Sequence, residues 1–128
     1  MVLKLNEYVR TKDEIIAKVI GVQSGGIEKY FFDKEIHKLL NFLSQLSAEN
    51  VISKHSFNII DLIEEGDYVN GDKIVKIEED IYIGGLNLWT ERDVPDGFGG
   101  FYRVKYREKD IKFVVTHEQM EAMEYEVK

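Results

Sequence analysis

The chain has 128 residues, 44% of them hydrophobic and 32% charged, with a formal net charge of −7 and no cysteine. This length suits one domain with a sizeable core, and the interspersed charge argues against a disordered chain. The missing cysteines exclude disulfide scaffolds, thiolate metal sites and cysteine nucleophiles, and the acidic balance excludes bulk attraction to a nucleic-acid backbone, leaving only a local basic patch for that role.

The N-terminus, MVLKLNEYVR, turns polar at Asn6 and lacks a signal-peptide apolar region. No apolar run approaches the ~18 residues of a membrane span. A cytoplasmic protein with no membrane partner is expected.

Tyr8 to Lys12 and Glu14 to Gln23 read as strands. In the second, Ile16, Lys18, Ile20 and Val22 share one face, and Ile15, Ala17, Val19 and Gly21 the other. Both faces are largely apolar, which predicts a central strand. Ser24-Gly25-Gly26 is a turn, and Ile27 to Phe32 a third strand. The period then changes. Ile36, Leu39, Leu40, Leu43 and Leu46 repeat at helical spacing, and Asp33 is a suitable N-cap, so an amphipathic helix is expected over 33–46. It would cover one face of the sheet or serve a partner.

Lys54 to Ile77 is the most legible stretch. Ser56 caps a short helical turn near 57–63, and Gly66-Asp67 stops it. Asp67–Val69 and Asp72–Ile77 flank Asn70-Gly71, the strongest short-range hairpin signal, because both central residues of a type I′ turn need positive φ. Asp80 to Thr90 alternates past a bulge expected at Gly84-Gly85. Glu91 to Gly100 reads as a long polar loop, Phe101 to Tyr106 as a strand, and Ile111 to Val115 as another. Thr116-His117-Glu118-Gln119 matches a capping box that opens a short helix over 116–122, and Met123 to Val127 closes the chain as a strand. The fold expected is one α+β domain: a small, twisted, mostly antiparallel sheet, closing as an SH3-like partial barrel.

Three runs carry a resemblance: YVRTKDEIIAKV from Tyr8, KHSFNIIDLIEEGDYVNG from Lys54 and THEQMEAMEY from Thr116. Together they resemble a group of small proteins from phages, prophages and other mobile elements of low-GC Gram-positive bacteria. The group carries no assigned activity, so the resemblance transfers no functional residue. It implies a setting, that of an accessory protein of a mobile element, among which are inhibitors of host defence such as anti-CRISPR proteins.

Few constellations suggest chemistry. His37, His55 and His117 show no metal-ligand spacing, so neither a metal nor a cofactor is expected. Asp96-Gly97-Phe98-Gly99-Gly100 lacks the Lys-Ser/Thr of a phosphate loop. Glu78, Glu79 and Asp80 form a solvated acidic rim or, more sharply, a patch that imitates phosphates or docks on a basic host protein. Arg103, Lys105 and Arg107 fall on one face of strand 101–109, with Tyr102 and Tyr106 on the other. With Trp89 and Phe98 they offer charge and stacking for a nucleotide or single strand. No nucleophilic or acid–base set assembles, so the protein is not expected to be an enzyme. The leading reading is a non-catalytic accessory protein that binds a host protein, as a defence inhibitor would. The alternative is a nucleotide or oligonucleotide binder built on 91–100 and 101–109.

Overall fold

A computed structural model of the chain describes residues 1–120. It is a small α+β fold with two antiparallel five-stranded sheets, in two compact units, Met1–Leu62 and Ile63 onward. No helix among the described residues is long and apolar enough to cross a membrane.

In the first unit β1 (Tyr8–Thr11), β2 (Ile16–Gln23), β3 (Lys29–Phe32), β4 (Phe42–Ser44) and β5 (Ile52–Ser56) line up in the order β4-β3-β2-β1-β5. β2 is central, as its apolar residues predict. It is covered on both faces only at its start, where Ile16 and Ala17 are buried, while Ile20 and Val22 reach solvent. One sheet face buries Val9, Val19, Tyr30, Phe32 and Leu43 with Ile36, Ala48 and Val51. Arg10 is fully buried and held by Glu14 through Nε (2.6 Å) and by the Leu62 carbonyl through Nη1 (2.9 Å).

The helix expected over 33–46 does not form. Asp33 caps no helix, because its carboxylate accepts the Lys18 N–H instead (2.9 Å). The chain turns tightly at Lys38 and Leu39, both at positive φ (47° and 64°), and returns as β4, where Phe42 and Leu43 pair with Phe31 and Tyr30. The helix lies later, α1 (Gln45–Val51). Ser44 caps it by accepting the Ser47 N–H (3.1 Å). Ladder pairing to β3 overrode a helical spacing that five apolar residues satisfy by coincidence. Further on, the helical turn expected near 57–63 is a 3₁₀ turn, Ile59–Leu62; Ser56 stands ahead of it, accepting the Asn58 N–H (3.1 Å) and donating to the Asp61 carboxylate (2.7 Å).

In the second unit β6 (Tyr68–Val69), β7 (Asp72–Glu79), β8 (Leu86–Pro95), β9 (Phe101–Tyr106) and β10 (Val114–Val115) run in the order β10-β6-β7-β8-β9. Asn70 and Gly71 sit at φ 53° and 88°, as a type I′ turn requires. Asn70 also ties the turn to the chain before β10. Its amide donates to the Asp110 carbonyl (2.7 Å), and its carbonyl oxygen accepts the Lys112 N–H (2.8 Å). Buried Asp67 accepts the Glu64 N–H (2.8 Å) and the His117 N–H (3.1 Å). The capping box forms between Thr116 and Gln119.

Three expectations need correction here. Gly84-Gly85 is no bulge: it ends a turn from Asp80 to Gly85, both glycines at positive φ (76° and 77°). Glu91 to Gly100 is not one long loop, since β8 runs to Pro95 and only 96–100 turn. There Asp96 accepts the Phe98 and Gly100 N–H groups (2.7 and 3.1 Å), which closes a compact hairpin. The strand expected over Ile111–Val115 shrinks to Val114–Val115. The closing strand 123–127, and with it the SH3-like closure, lies outside the described residues.

Candidate functional site

The site grows from β7, β8 and β9. Cross-strand partners share a face, and the register aligns Lys76, Trp89 and Lys105 in one row across the three strands. Two irregularities bring this about. The β7–β8 register shifts between Ile74 and Lys76, and the β8–β9 register between Trp89 and Asp93. The first lets Ile74 and Ile77 both serve the inner face, with Lys76 left on the outer one. Leu88 and Thr90 are buried on that inner face, which turns Trp89 outward.

Lys105 Nζ lies 5.2 Å from the centre of the indole. A groove of about 570 Å³ opens beside it, lined by Trp89, Arg92, Val94, Tyr102, Arg103, Val104 and Lys105. Its lining holds three cations and no carboxylate. A second hollow of about 210 Å³ shares Trp89 and Arg103 and adds Val75, Lys76 and Glu78. Arg103 Nε faces Asp93 at 3.4 Å, with both side chains half exposed, an arrangement that costs little to exchange for another anion. Arg92 holds Asp72 (2.9 Å) and reaches the Tyr106 hydroxyl (3.3 Å). The hydrogen bond to Asp72 raises the Arg92 pKa, and burial and then Asp72 raise that of Tyr106. Lys76 pairs with Glu78 (2.6 Å), whose hydrogen bond raises the lysine pKa. Lys105 has no carboxylate partner among the described residues.

Of the residues singled out from the sequence, the groove gathers Trp89, Tyr102, Arg103 and Lys105. Phe98 is not among its lining residues; it stands at the tip of the β8–β9 hairpin, 95% exposed. Arg107 leaves the Arg103 face because β9 ends at Tyr106. Its guanidinium bonds to Asp80 (3.1 Å), Asn87 (3.3 Å) and the Gly84 carbonyl (2.6 Å). Asp80 is no rim residue either. It accepts the Tyr82 and Ile83 N–H groups (3.0 and 3.2 Å) besides Arg107. The Ile83 N–H is the first cause that lowers its pKa, followed by Tyr82. Asp80 and Arg107 are a clasp on the turn. Glu78 stands at the smaller hollow, and Glu79 is exposed at the end of β7. Sequence reasoning missed Lys76, Arg92 and Val94. Arg92 and Val94 lay in the supposed loop, and the place of Lys76 depends on a bulge with no sequence signature.

No protein-family model, curated protein or solved structure matches the chain.

Proposed function

We propose that the protein is a non-catalytic binding module that takes an anionic ligand bearing a flat ring, a nucleotide or short single-stranded nucleic acid, in the Trp89 groove. The observation that carries this reading is the Lys76–Trp89–Lys105 row beside a groove lined by Arg92 and Arg103 with no carboxylate. A base stacks on the indole, worth about 1–3 kcal/mol, and phosphates meet the cations. The net charge of −7 opposes approach from a distance, so the cations act only at close range. Two of the groups with shifted pKa in this unit, Asp80 and Tyr106, are engaged in holding a turn and a strand pair, which supports a binding role over catalysis.

Trp89 is the sole tryptophan, so its emission reports this groove alone. Titration with mononucleotides and short oligonucleotides should quench it in a dose-dependent way. Arg103→Glu should weaken the midpoint about tenfold, the loss of one charge-assisted contact. No change in emission with any of these ligands, or an unchanged midpoint in Arg103→Glu, rejects the reading.

A second reading keeps the mobile-element setting and makes the ligand a host protein, with inhibition of a defence system as the outcome. Apolar residues at the two turns that flank β8, one at each end of the strand, favour it. Ile81, Tyr82 and Ile83 stand out at one and Phe98 and Phe101 at the other, with Tyr82 90% exposed. Capture from host lysate tests it.

A further inference from the structure

The outer face of the first unit's sheet carries a second aromatic and cationic surface, on residues unrelated to the Trp89 groove. Gly21, Phe31 and Phe42 are cross-strand neighbours on β2, β3 and β4, and the two rings lie 5.9 Å apart at a tilt of 38°. The opposite face at these strands is the core, through Val19, Tyr30, Phe32 and Leu43. Phe31 and Phe42 are therefore turned away from it and stay half-buried. Gly21 adds no side chain, and the atoms nearest to a Cβ there are those of the Phe31 side chain, so that ring lies over the glycine.

Lysines flank the rings. Lys29 Nζ lies 5.7 Å from the Phe42 ring centre, and Lys18 Nζ lies 5.6 Å from that of Tyr8, its cross-strand partner. The strand positions paired on this face hold Arg10, Lys18, Lys29 and Lys54 and no carboxylate, in a chain with 24 acidic residues. At one end Arg10 is buried and neutralised by Glu14. Two acids that adjoin the strands keep their charge: Asp33 accepts the Lys18 backbone N–H (2.9 Å), and Glu28 accepts the hydroxyl of Tyr30, a residue of the core face (2.8 Å).

We propose that this face binds single-stranded nucleic acid, with bases stacked on Phe31 and Phe42 and phosphates held by Lys18 and Lys29. An antiparallel sheet with aromatic residues on an open face suits unpaired bases, because every base offers a π-face. Charge selects the occupant. A neutral apolar partner would leave both lysines desolvated without a counter-charge, whereas a phosphate backbone pairs with them. The proposal shares a ligand class with the Trp89 groove but none of its residues, and it stands or falls separately.

The test uses the whole chain and a fluorescein-labelled 15-residue oligo-dT, followed by anisotropy, with Trp89 emission recorded in parallel. Lys18→Glu with Lys29→Glu should weaken the anisotropy midpoint at least tenfold while mononucleotide quenching of Trp89 keeps its midpoint. Phe42→Leu keeps an apolar side chain at the site and removes the stacking ring. It should weaken the oligonucleotide about tenfold with an unchanged circular dichroism spectrum. Oligonucleotide affinity within twofold of the parent in the lysine variant overturns the proposal. So does displacement of the label by poly-glutamate as readily as by unlabelled oligo-dT, since charge alone would then be recognised. Loss of Trp89 quenching with oligonucleotide binding retained would reject the groove and leave this face standing.

Discussion

At the scale of single residues the chain spends its buried and half-buried polar groups on holding turns. Asp80 is the clearest case. Two backbone N–H groups, Asn87 and Arg107 all meet its carboxylate, and the Ile83 N–H leads in lowering its pKa. A carboxyl depressed in the folded state adds stability that is complete above its unfolded value, about pH 4, and is lost as pH falls through the folded value. The stability gap between the parent and Asp80→Asn should therefore stay constant from about pH 7 to pH 5 and narrow below about pH 4. Urea titrations across that range measure it, and a gap that persists unchanged to about pH 2 would deny the clasp its charge. Asn70 works by similar means without charge, and here the sequence was informative. The need for positive φ picks out Asn-Gly, and the contacts to Asp110 and Lys112 are a further use that spacing could not reveal.

At the scale of elements, the segment from Asp33 to Val51 is where local pattern and tertiary pairing disagree. Ile36 and Leu43 are buried as a helix would have them, but Leu39 and Leu46 stand in solvent, Leu39 at 83% exposure. The hairpin tip puts Lys38 and Leu39 in the left-handed region, which costs a non-glycine residue about 1–2 kcal/mol. Lys38→Asn with Leu39→Gly should then stabilise the protein by about 1 kcal/mol in urea unfolding, after the entropy cost of glycine is subtracted. The same pair of changes inside a helix would destabilise it by about 1 kcal/mol. The sign of the shift decides between the two structures.

At the scale of the molecule, acidity and local basic surfaces coexist. Salt screens the repulsion between a chain of net charge −7 and a polyanion beyond a Debye length of about 8 Å, and within that range the groove and the outer face of the first sheet each gather lysine or arginine around aromatic rings. Acidity by itself fits a basic protein partner, so the host-protein reading is tested here. The whole chain immobilised should capture one specific protein from host lysate, and Ile83→Glu with Phe98→Glu should abolish that capture while leaving Trp89 quenching intact. Capture that survives those changes removes the apolar turns from the interface.

The sequence by itself determined what depends on neighbours along the chain. The Asn70-Gly71 turn, the Thr116–Gln119 capping box and the bounds of β9 were all legible, because a φ requirement, a bond three residues away or strict alternation leaves a local signature. It also brought forward Trp89, Tyr102, Arg103 and Lys105 as residue types suited to stacking and charge. Only the tertiary structure decided which of these meet. Side-chain direction on a strand reverses with every one-residue change of register; the irregularity at Ile74/Lys76 placed Lys76 beside Trp89, and the one at Trp89/Asp93 set Lys105 on its other side. The end of β9 at Tyr106 likewise gave Arg107 to Asp80. These choices rest on ladder pairing between distant segments, whose energy no local spacing records.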